Sequence, residues 1–197
     1  MYASVSGLIE GAKTGRLVSF PTDTVPALAA LPEYAELIFQ AKGRSLTKPL
    51  ILMGAELNDL LPYIQGNHKE LALWQEVAAK YWPGALTLVL PASDRLPRQV
   101  NPVDPSTIGL RVPNLDIARQ ILAATGPMAT TSANKSGAEP LSTPDQIADQ
   151  FPQALVLDEF LSYGSGLPST VVKWDGQGWK VLRQGGVQLG AAGDCKT

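Results

Sequence analysis

The sequence predicts a single α/β domain, because helical and strand-like segments alternate along most of the 197-residue chain. Apolar residues recur at helical spacing in several segments, and short continuous apolar runs stand between them. Hydrophobic residues make up 45% of the chain and charged residues 17%, a composition typical of globular proteins. No repeat of about 20 to 50 residues is evident and no linker divides the chain. We therefore expect one domain over residues 1–185 and a flexible tail over residues 186–197.

The charge balance and the few reactive side chains exclude several classes of protein. A formal net charge of -2 and an isoelectric point near 5.4 argue against a broad basic surface for nucleic acid, so any anion site must be local. The single cysteine, Cys195, excludes an intrachain disulfide and a cysteine metal cluster. The single histidine, His68, cannot build a multi-histidine zinc site and is expected on the surface.

No secretory or membrane segment is indicated. Residues 1–15 have neither a basic start nor a long apolar core, and no apolar run approaches the roughly 18 residues needed to span a bilayer. We therefore expect a cytoplasmic protein without membrane contact.

Helices and strands alternate through the first half of the chain. They are, in order, helix Ser6–Thr14, strand Leu17–Phe20, helix Glu33–Ala41, strand Leu50–Met53, a polar helical stretch from Glu56 to Pro62, a helix around Leu71–Tyr81 and strand Leu86–Leu90. The helices are indicated by apolar residues three or four positions apart, and two of them end at Gly15 and at Pro83-Gly84. The strands are indicated by short apolar runs, which are typical of strands buried on both faces.

A proline-rich segment precedes the elements of the second half. Its prolines exclude regular structure over residues 91–105, and a loop of this length is often a lid or a binding loop. The elements after it are strand Thr107–Val112, a helix capped by Asn114, strand Pro127–Thr131, a helix opened by Thr143 and Pro144, strand Ala154–Leu157, and a hairpin of Ser169–Trp174 and Trp179–Arg183 turned at Asp175-Gly176.

The loop from Lys42 to Pro49 is the most unusual stretch of the sequence. Lys42, Arg44 and Lys48 fall within seven residues, and no Asp or Glu occurs at positions 37–55 to neutralise them. Cations on such a loop suit a polyanion, because arginine offers a planar fork and lysine a mobile point charge. A solvated surface turn would also explain the charges, since runs of charge usually indicate only exposure.

A second acid-poor loop, Ser132–Gly137, carries hydroxyl and amide groups and a glycine. These groups would let backbone amides approach an anion, although such a loop is more often only a turn. Arg111 and Arg183 stand near strand ends, where open α/β sheets tend to place ligand contacts. These features predict a nucleotide or polyphosphate pocket in which Arg44 and Asn134 face each other, without a P-loop or a dinucleotide fingerprint.

The segment Thr22-Asp23-Thr24 places two hydroxyls and a carboxylate directly after a strand. Ligand contacts are common at such a position. Hydrogen bonds that only stabilise the turn are at least as good an explanation of this segment by itself.

Seven motifs in order resemble the YrdC-like family. They are Pro21-Thr22-Asp23-Thr24, Lys42-Gly43-Arg44 with Lys48-Pro49-Leu50, Trp82-Pro83-Gly84 before Leu86-Thr87, Thr107 four residues before Arg111, Ser132-Ala133-Asn134 with Ser136-Gly137, Ser169-Thr170-Val171, and Arg183-Gln184-Gly185. No single motif is specific, but the order of all seven is. The similarity runs from about Gly15 to Gly185, and the chain resembles the short bacterial form of the family.

This resemblance implies a fold and a reaction. The fold is a YrdC-like twisted, mixed β-sheet with flanking helices around a concave, positively charged cavity. The reaction is L-threonylcarbamoyladenylate synthesis from L-threonine, bicarbonate or CO2, and ATP, with pyrophosphate as the second product and Mg2+ expected. The product feeds the pathway to N6-threonylcarbamoyladenosine in tRNA, which implies hand-over to a tRNA threonylcarbamoyl transferase complex.

Carried over position by position, the resemblance also implies the binding residues. Those expected to contact ATP are Arg44, Lys48, Thr107, Ser132, Asn134, Ser142 and Arg183, and those expected to hold threonine are Thr24, Arg111 and Ser169. Lys42 and Arg44 are expected to stabilise charge. No covalent nucleophile and no metal ligand from the protein is predicted.

The sequence departs from the family pattern at three places. After Thr24 it has Pro26 and Ala27 where an aromatic residue and a glycine are usual, which restricts the backbone at the threonine end of the pocket. Ser45 replaces a frequent proline, and Met53 stands where some members carry a histidine.

Three functions are compatible with these residues. The leading hypothesis is the synthase, and the alternative is a YrdC-like paralogue that binds RNA or nucleotide without making the adenylate. For the synthase, any RNA binding is expected to be weak. A metabolite-binding regulatory domain has no positive feature behind it. For the synthase, we expect Arg44→Ala and Asn134→Ala each to impair the use of ATP with little loss of stability.

Overall fold

The computed structural model describes residues 1–135, 137–158 and 164–188. Its helices are α1 Val5–Lys13, α2 Glu36–Lys42, α3 Leu57–Leu60, α4 His68–Tyr81, α5 Asp116–Thr125 and α6 Pro144–Gln150. Its strands are β1 Tyr2–Ala3, β2 Val18–Phe20, β3 Ala27–Ala30, β4 Ile51–Met53, β5 Leu86–Pro91, β6 Thr107–Arg111, β7 Met128–Ser132, β8 Leu155–Leu157, β9 Thr170–Trp174 and β10 Trp179–Arg183. Short 3₁₀ helices occupy residues 32–34, 61–63 and 98–100.

The strands form one twisted, mixed sheet in the order β1-β8-β2-β3-β7-β4-β6-β5-β9-β10. Strand β8 pairs in parallel with β1 and β2, and the β4–β6 and β5–β9 pairs are also parallel. The other neighbours are antiparallel, including β3 with β7, where Ala27 lies opposite Ser132. This pairing brings the segment after Asp23 next to the loop that begins at Ser132.

The two faces of strands β4, β6, β5 and β9 differ in character. Inward-facing residues such as Leu52, Leu88, Leu110 and Val172 are buried in the core. The residues that alternate with them point to the opposite face, because successive side chains of a strand lie on opposite sides of a sheet. That opposite face forms the floor of the cavity described below.

Most predicted elements are confirmed, with boundaries shifted by a few residues. Helix α1 begins at Val5 and is capped by Ser4, so the predicted start at Ser6 is wrong. Thr143 caps α6 as predicted, by accepting a hydrogen bond from the backbone N–H of Gln146. The predicted cap at Asn114 is wrong, because the residue before α5 is Leu115 and it makes no side-chain cap.

Two strands were not predicted. Strand β3 is a run of small residues, Ala27–Ala30, which lacks the β-branched and aromatic side chains that mark a strand in sequence. It is nevertheless fully buried, because it pairs with β2 on one side and β7 on the other. Strand β1 has only two residues and adds an edge beside β8. The long loop over residues 91–105 is also partly ordered, since Pro91 closes β5 and residues 98–100 form a 3₁₀ helix.

The predicted tail is only partly described. Gly186 donates a backbone hydrogen bond to Pro168 over 3.0 Å, and Val187 donates one to the Thr170 hydroxyl over 3.2 Å. The remaining tail residues, 189–197 with Cys195, lie outside the described residues, as does Ser136 of the second loop. Across the described residues, no helix is both long enough and apolar enough to cross a membrane.

Candidate active site

A cavity of about 600 Å³ lies on the exposed face of the sheet. Its floor consists of alternate residues of four neighbouring strands: Ile51 and Met53 of β4, Thr107, Gly109 and Arg111 of β6, Thr87 and Val89 of β5, and Val171 and Lys173 of β9. The loops after β2, α2 and β7 complete the wall. The cavity is thus large enough for a nucleotide together with a small second ligand.

Most of the predicted binding residues line this one cavity. They are Thr24, Arg44, Thr107, Arg111, Ser132, Asn134, Ser169 and Arg183. Arg44 and Asn134 therefore share a cavity as predicted, although 90 residues separate them in sequence. Lys42, Lys48 and Ser142 do not belong to its wall.

Arg111 lies at the buried end of the cavity, with only 3% of its surface exposed. Its Nη2 donates to the Asp23 carboxylate over 2.6 Å, its Nη1 to the Thr24 hydroxyl over 2.7 Å, and its Nε to the Gly84 carbonyl over 3.1 Å. Burial lowers the pKa of Arg111, and the charge of Asp23 acts in the opposite direction. The ion pair therefore stabilises the charged form of the buried guanidinium. We call Asp23, Thr24 and Arg111 the Arg111 end of the cavity.

The backbone around Asp23 and Thr24 is covered by the loop that precedes β9. Ser165 donates to the Asp23 carbonyl over 3.1 Å and Gly166 to the Thr24 carbonyl over 3.0 Å. A Cβ added at Gly164 would lie 2.1 Å from the Thr24 carbonyl oxygen, so only glycine allows this approach. Thr24 is therefore held by the Arg111 side chain and by the loop before β9.

Ser169 lies beside Thr87, and both hydroxyls are buried. The two oxygens are 2.8 Å apart. Arg183 of β10 reaches the same place, because its Nη2 donates to the Ser169 carbonyl over 2.9 Å. Burial lowers the pKa of Arg183. Strands β5, β9 and β10 thus bring two hydroxyls and a cation together.

The loop after β7 is held from behind by Lys42. The Lys42 ammonium donates to the carbonyl oxygens of Ser132 and Asn134 and, over 3.0 Å, to the side-chain oxygen of Asn134. Because an ammonium has three N–H donors, all of them are used. Lys42 is only 4% exposed, so the structure places it under the loop and not on the cavity wall, where charge stabilisation was predicted.

Burial lowers the pKa of Lys42 to about 7, and repulsion from Arg44 acts in the same direction. Its three oxygen acceptors oppose this shift, because they favour the charged ammonium. Lys42 thus links helix α2 to the loop after β7. Because its pKa is about 7, its ammonium is partly deprotonated near neutral pH.

Asn134 is part of the same network and is 8% exposed. Its side-chain oxygen accepts from Lys42 and, over 2.6 Å, from the Ser132 hydroxyl, while its side-chain nitrogen donates to the Ala138 carbonyl. Its truncation would leave several buried groups without partners. The expectation that Asn134→Ala leaves stability unchanged is therefore replaced by an expected loss.

Arg44 lies at the opposite end of the cavity, on the loop after α2. Gly43 ends that helix with φ 58°, a left-handed conformation that favours glycine, and so turns the chain towards the cavity. Arg44 donates to the carbonyls of Lys48 and Pro49, over 3.0 and 3.1 Å. Burial lowers its pKa, but none of these partners is charged. We call Arg44 and Lys48 the Arg44 end of the cavity.

Lys48 itself is exposed and contributes its carbonyl to Arg44, so the structure does not bring its side chain to the wall. Ser142 lines a neighbouring chamber of about 140 Å³, which shares Thr24 and Pro26 with the main cavity. Its hydroxyl is 3.4 Å from the side-chain oxygen of Gln146. The sequence alone could not show that the side chains of Lys48 and Ser142 lie outside the cavity wall.

Within the described residues, the charged side chains of the wall are Arg44, Arg111, Lys173, Arg183 and Asp104. Cationic groups therefore outnumber acidic ones on this surface. Hydrogen bonds from Ser106 lower the pKa of Asp104, with a smaller contribution from the charge of Lys173. The same part of the chain contains no group of three or more His, Cys, Asp or Glu side chains that could hold a metal ion.

Sequence reasoning assigned no role to several polar residues of the wall, among them Asn101 and Thr87. Asn101 is 4% exposed and donates to the Thr107 carbonyl over 3.0 Å, which fixes the start of β6. Its position in a proline-rich loop concealed it, although a buried Asn in such a loop often organises a turn. Thr87 stands in the Leu86-Thr87 part of the third motif but was given no role, because a threonine within a buried strand carries no local mark of the face on which it lies.

The departures from the expected motif also lie on the wall. Pro26, Ala27 and Met53 all line the cavity. The Pro26 carbonyl accepts from Ala133 over 2.8 Å, which continues the β3–β7 pairing without needing an N–H from proline. The substitutions are thus accommodated by the sheet and make this part of the wall more apolar.

A family model and several relatives match this chain. The Sua5/YciO/YrdC family model, which carries the description "Telomere recombination", matches residues 10–185. The threonylcarbamoyl-AMP synthase of Pyrococcus abyssi is 36% identical over 186 residues, which cover 90% of this chain and 52% of that protein. The threonylcarbamoyl-AMP synthase of Vibrio campbellii is 31% identical over 183 residues, which cover 90% of this chain and 97% of that protein. The chain thus spans about half of the first relative and nearly all of the second.

Solved structures agree with this result. The crystal structure of P. abyssi Sua5 complexed with L-threonine superposes with a TM-score of 0.81 at 30% identity, covering 92% of this chain and 54% of that one. The crystal structure of E. coli YciO superposes with a TM-score of 0.78 at 26% identity, covering 94% of this chain and 93% of that one. The mixed sheet with its flanking helices is therefore the fold of these proteins.

Proposed function

Because the chain belongs to the Sua5/YciO/YrdC family, we propose that it is a threonylcarbamoyl-AMP synthase. Its substrates are L-threonine, bicarbonate or CO2, and ATP, and its products are the adenylate and pyrophosphate, which makes it a nucleotidyltransferase. The observation that carries this proposal is that most of the residues implied for both substrates line one cavity.

The Arg111 end suits the amino acid. An arginine fork matches a carboxylate, and Arg111 is oriented by Asp23 and by the Gly84 carbonyl before any ligand arrives. The hydroxyls of Thr24 and Ser169 lie on the same wall and can form hydrogen bonds with the rest of the substrate. Orientation of this kind lowers the entropic cost of bringing the reactants together.

The Arg44 end, with Thr107, Ser132, Asn134 and Arg183, suits ATP. The threonine amine attacks the carbon of CO2 and loses a proton, which gives a carbamate. A carbamate oxygen then attacks the α-phosphorus as the bond to pyrophosphate breaks. Arg44 and Arg183 offset the charge that develops on the phosphates, and no covalent bond to the protein is needed.

Mg2+ is expected to accompany ATP, where it would neutralise phosphate charge. Mg2+ in nucleotide enzymes usually takes few ligands from the protein and completes its shell with phosphates and water. The wall fits this pattern, because Asp104 is its single acidic residue within the described part of the chain. We place no other protein ligand on the ion.

The remaining parts of the proposal concern the cellular setting. We propose one functional domain over residues 1–185, a cytoplasmic location, and transfer of the adenylate to a tRNA threonylcarbamoyl transferase complex. The nearly complete coverage of the Vibrio synthase supports the idea that this domain suffices for activity.

The test incubates purified protein with ATP, labelled bicarbonate and L-threonine, and measures pyrophosphate and labelled adenylate. We expect both products only when threonine is present. Arg44→Ala should lose most activity, whereas Arg95→Ala, at an exposed arginine away from the cavity, should keep it. If neither product forms while RNA binding persists at moderate salt, the protein is a nucleic-acid-binding paralogue instead.

A further inference from the structure

We propose that Thr22 and Asp23 are positioning residues that give the Arg111 end a fixed hydrogen-bond polarity, in which Thr24 only accepts from the ligand and Arg111 only donates to it. This inference rests on the proposed function and specifies how the site distinguishes the amine of the amino acid from its carboxylate. Neither residue was implied as a ligand contact, and their action is through Thr24 and Arg111.

The polarity follows first from Thr22. Its hydroxyl oxygen is 2.7 Å from the Val25 carbonyl oxygen, and a carbonyl can only accept, so the Thr22 proton points there. The same oxygen accepts the backbone N–H of Thr24 over 3.2 Å. Thr22 is 1% exposed, so water cannot replace these partners without opening the loop.

The direction of the next bond is then determined. The hydroxyl oxygens of Thr22 and Thr24 are 3.0 Å apart, and by distance alone either could donate. Because the Thr22 proton is already directed to Val25, Thr24 must donate to Thr22. Thr24 also accepts from Nη1 of Arg111 over 2.7 Å, and a guanidinium cannot accept.

Thr24 is left with one lone pair and no proton for a ligand. Any group that binds at this oxygen must therefore bring its own donor, as an amine does. A group that can only accept would face a second acceptor at close range, which is unfavourable in a buried site. Thr24 is 1% exposed and lines the cavity, so this lone pair is available to a ligand in the cavity and is shielded from bulk solvent.

Arg111 offers hydrogen-bond donors next to the acceptor oxygen of Thr24. Asp23 takes one N–H of Nη2 over 2.6 Å and Gly84 takes Nε–H over 3.1 Å, which fixes the plane of the guanidinium. Within the described residues, the second N–H of each terminal nitrogen has no partner and can serve a carboxylate. Donors and a lone acceptor thus lie side by side, as the carboxylate and amine of an α-amino acid require.

The test measures two ligands on the full-length protein. L-Threonine carries the carboxylate, amine and hydroxyl, and 3-hydroxybutyrate is the same molecule without the amine. For Thr22→Val, the Thr24 proton loses its acceptor and turns to the ligand, so threonine affinity should fall by about three- to tenfold. The affinity for 3-hydroxybutyrate and the KM for ATP should stay unchanged, and Thr22→Ser should restore threonine binding.

Asp23→Asn should behave differently, since Asp23 acts on the carboxylate through Arg111. It should change the affinities for threonine and 3-hydroxybutyrate by the same factor. Ser19→Ala is the matched control, because the Ser19 hydroxyl is fully buried but has no hydrogen-bond partner among the described residues. If Thr22→Val does not fold, Thr22→Cys fills the space with a poor acceptor and should lower threonine affinity alone.

The inference is overturned if Thr22→Val weakens both ligands equally or leaves threonine unaffected, or if Asp23→Asn changes their ratio. These results leave the proposed function standing as long as the unaltered protein forms the adenylate. If the unaltered protein neither binds threonine nor forms the adenylate, the proposed function and this inference are both overturned.

Discussion

The two ends of the cavity hold their arginines in different ways. Arg111 is almost completely buried, and its charge is offset by Asp23 and its donors by Thr24 and Gly84. Arg44 lies half-buried on a loop, and among the described residues its hydrogen-bond partners are the carbonyls of Lys48 and Pro49. One arginine is built into the fold, and the other remains available to a ligand charge.

This difference indicates which substitutions should change ligand binding without changing stability. A buried ion pair leaves an uncompensated charge when one member is removed, whereas an arginine bonded to backbone carbonyls leaves only neutral groups that water can reach. We therefore expect substitutions at the Arg111 end to affect folding and binding together. Substitution of Arg44 itself should affect binding alone.

The largest effect is expected for Arg111→Met. Removing the guanidinium leaves the Asp23 carboxylate, which is 14% exposed, without its ion partner, and this should lower the free energy of unfolding by about 3–5 kcal/mol. Urea unfolding measures this loss. Arg119→Met is the matched control, because Arg119 donates to the Ala55 carbonyl and has no ion pair among the described residues. A loss no greater than that of the control would remove the distinction between the two ends.

Asn134→Ala should cost about 1–3 kcal/mol in unfolding free energy, because Lys42, Ser132 and Ala138 each lose a hydrogen-bond partner in a buried network. Thermal unfolding followed by circular dichroism provides the measurement. Asn134→Asp keeps the oxygen that faces Lys42 and should recover part of the loss. Equal stability of Asn134→Ala and the unaltered protein would show that the network contributes nothing to folding.

Arg44→Ala should raise the KM for ATP about tenfold or more, since a hydrogen bond to a charged group contributes about 1.5–3 kcal/mol. Its unfolding midpoint should stay close to that of the unaltered protein. Lys48→Ala should raise the KM by less than about threefold, because an exposed lysine acts mainly through a field that salt screens. The comparison is made at low and at physiological salt, and a larger effect at Lys48 would contradict the geometry.

A further effect is expected in the pH dependence of stability. The pKa of Lys42 is about 7 in the folded protein, against an ordinary value of 10.5, so between these values the unfolded chain binds more protons at this residue. The free energy of unfolding should therefore rise with pH across this range. Lys42→Met should flatten the rise. Urea unfolding at several pH values checks this, and parallel slopes for both proteins would show that the Lys42 pKa is not lowered.

Sequence reasoning predicted the helices and most strands because periodic apolar patterns determine local structure. It failed at Ala27–Ala30, where burial comes from pairing with two neighbouring strands and leaves no local signal. The ordered motifs predicted which residues share the cavity, including Arg44 and Asn134.

The direction of a side chain was harder to predict than its position in the chain. Lys42 and Arg44 are two residues apart, yet the turn at Gly43 sends one beneath the Ser132 loop and the other to the wall. The ion pair of Asp23 with Arg111 was missed for a related reason. Residues 88 positions apart meet only through the tertiary fold, and neither carries a local mark of its partner.

The floor of the cavity alternates, residue by residue, with the core beneath it. An insertion or deletion of one residue within β4, β5, β6 or β9 would exchange the two sets, turning leucines into the pocket and arginine or threonine into the interior. Binding specificity can therefore change here by replacement of single side chains, but not by changes of strand length. Variation in length can be tolerated only in the surrounding loops, so changes in the size of the cavity are expected at its rim.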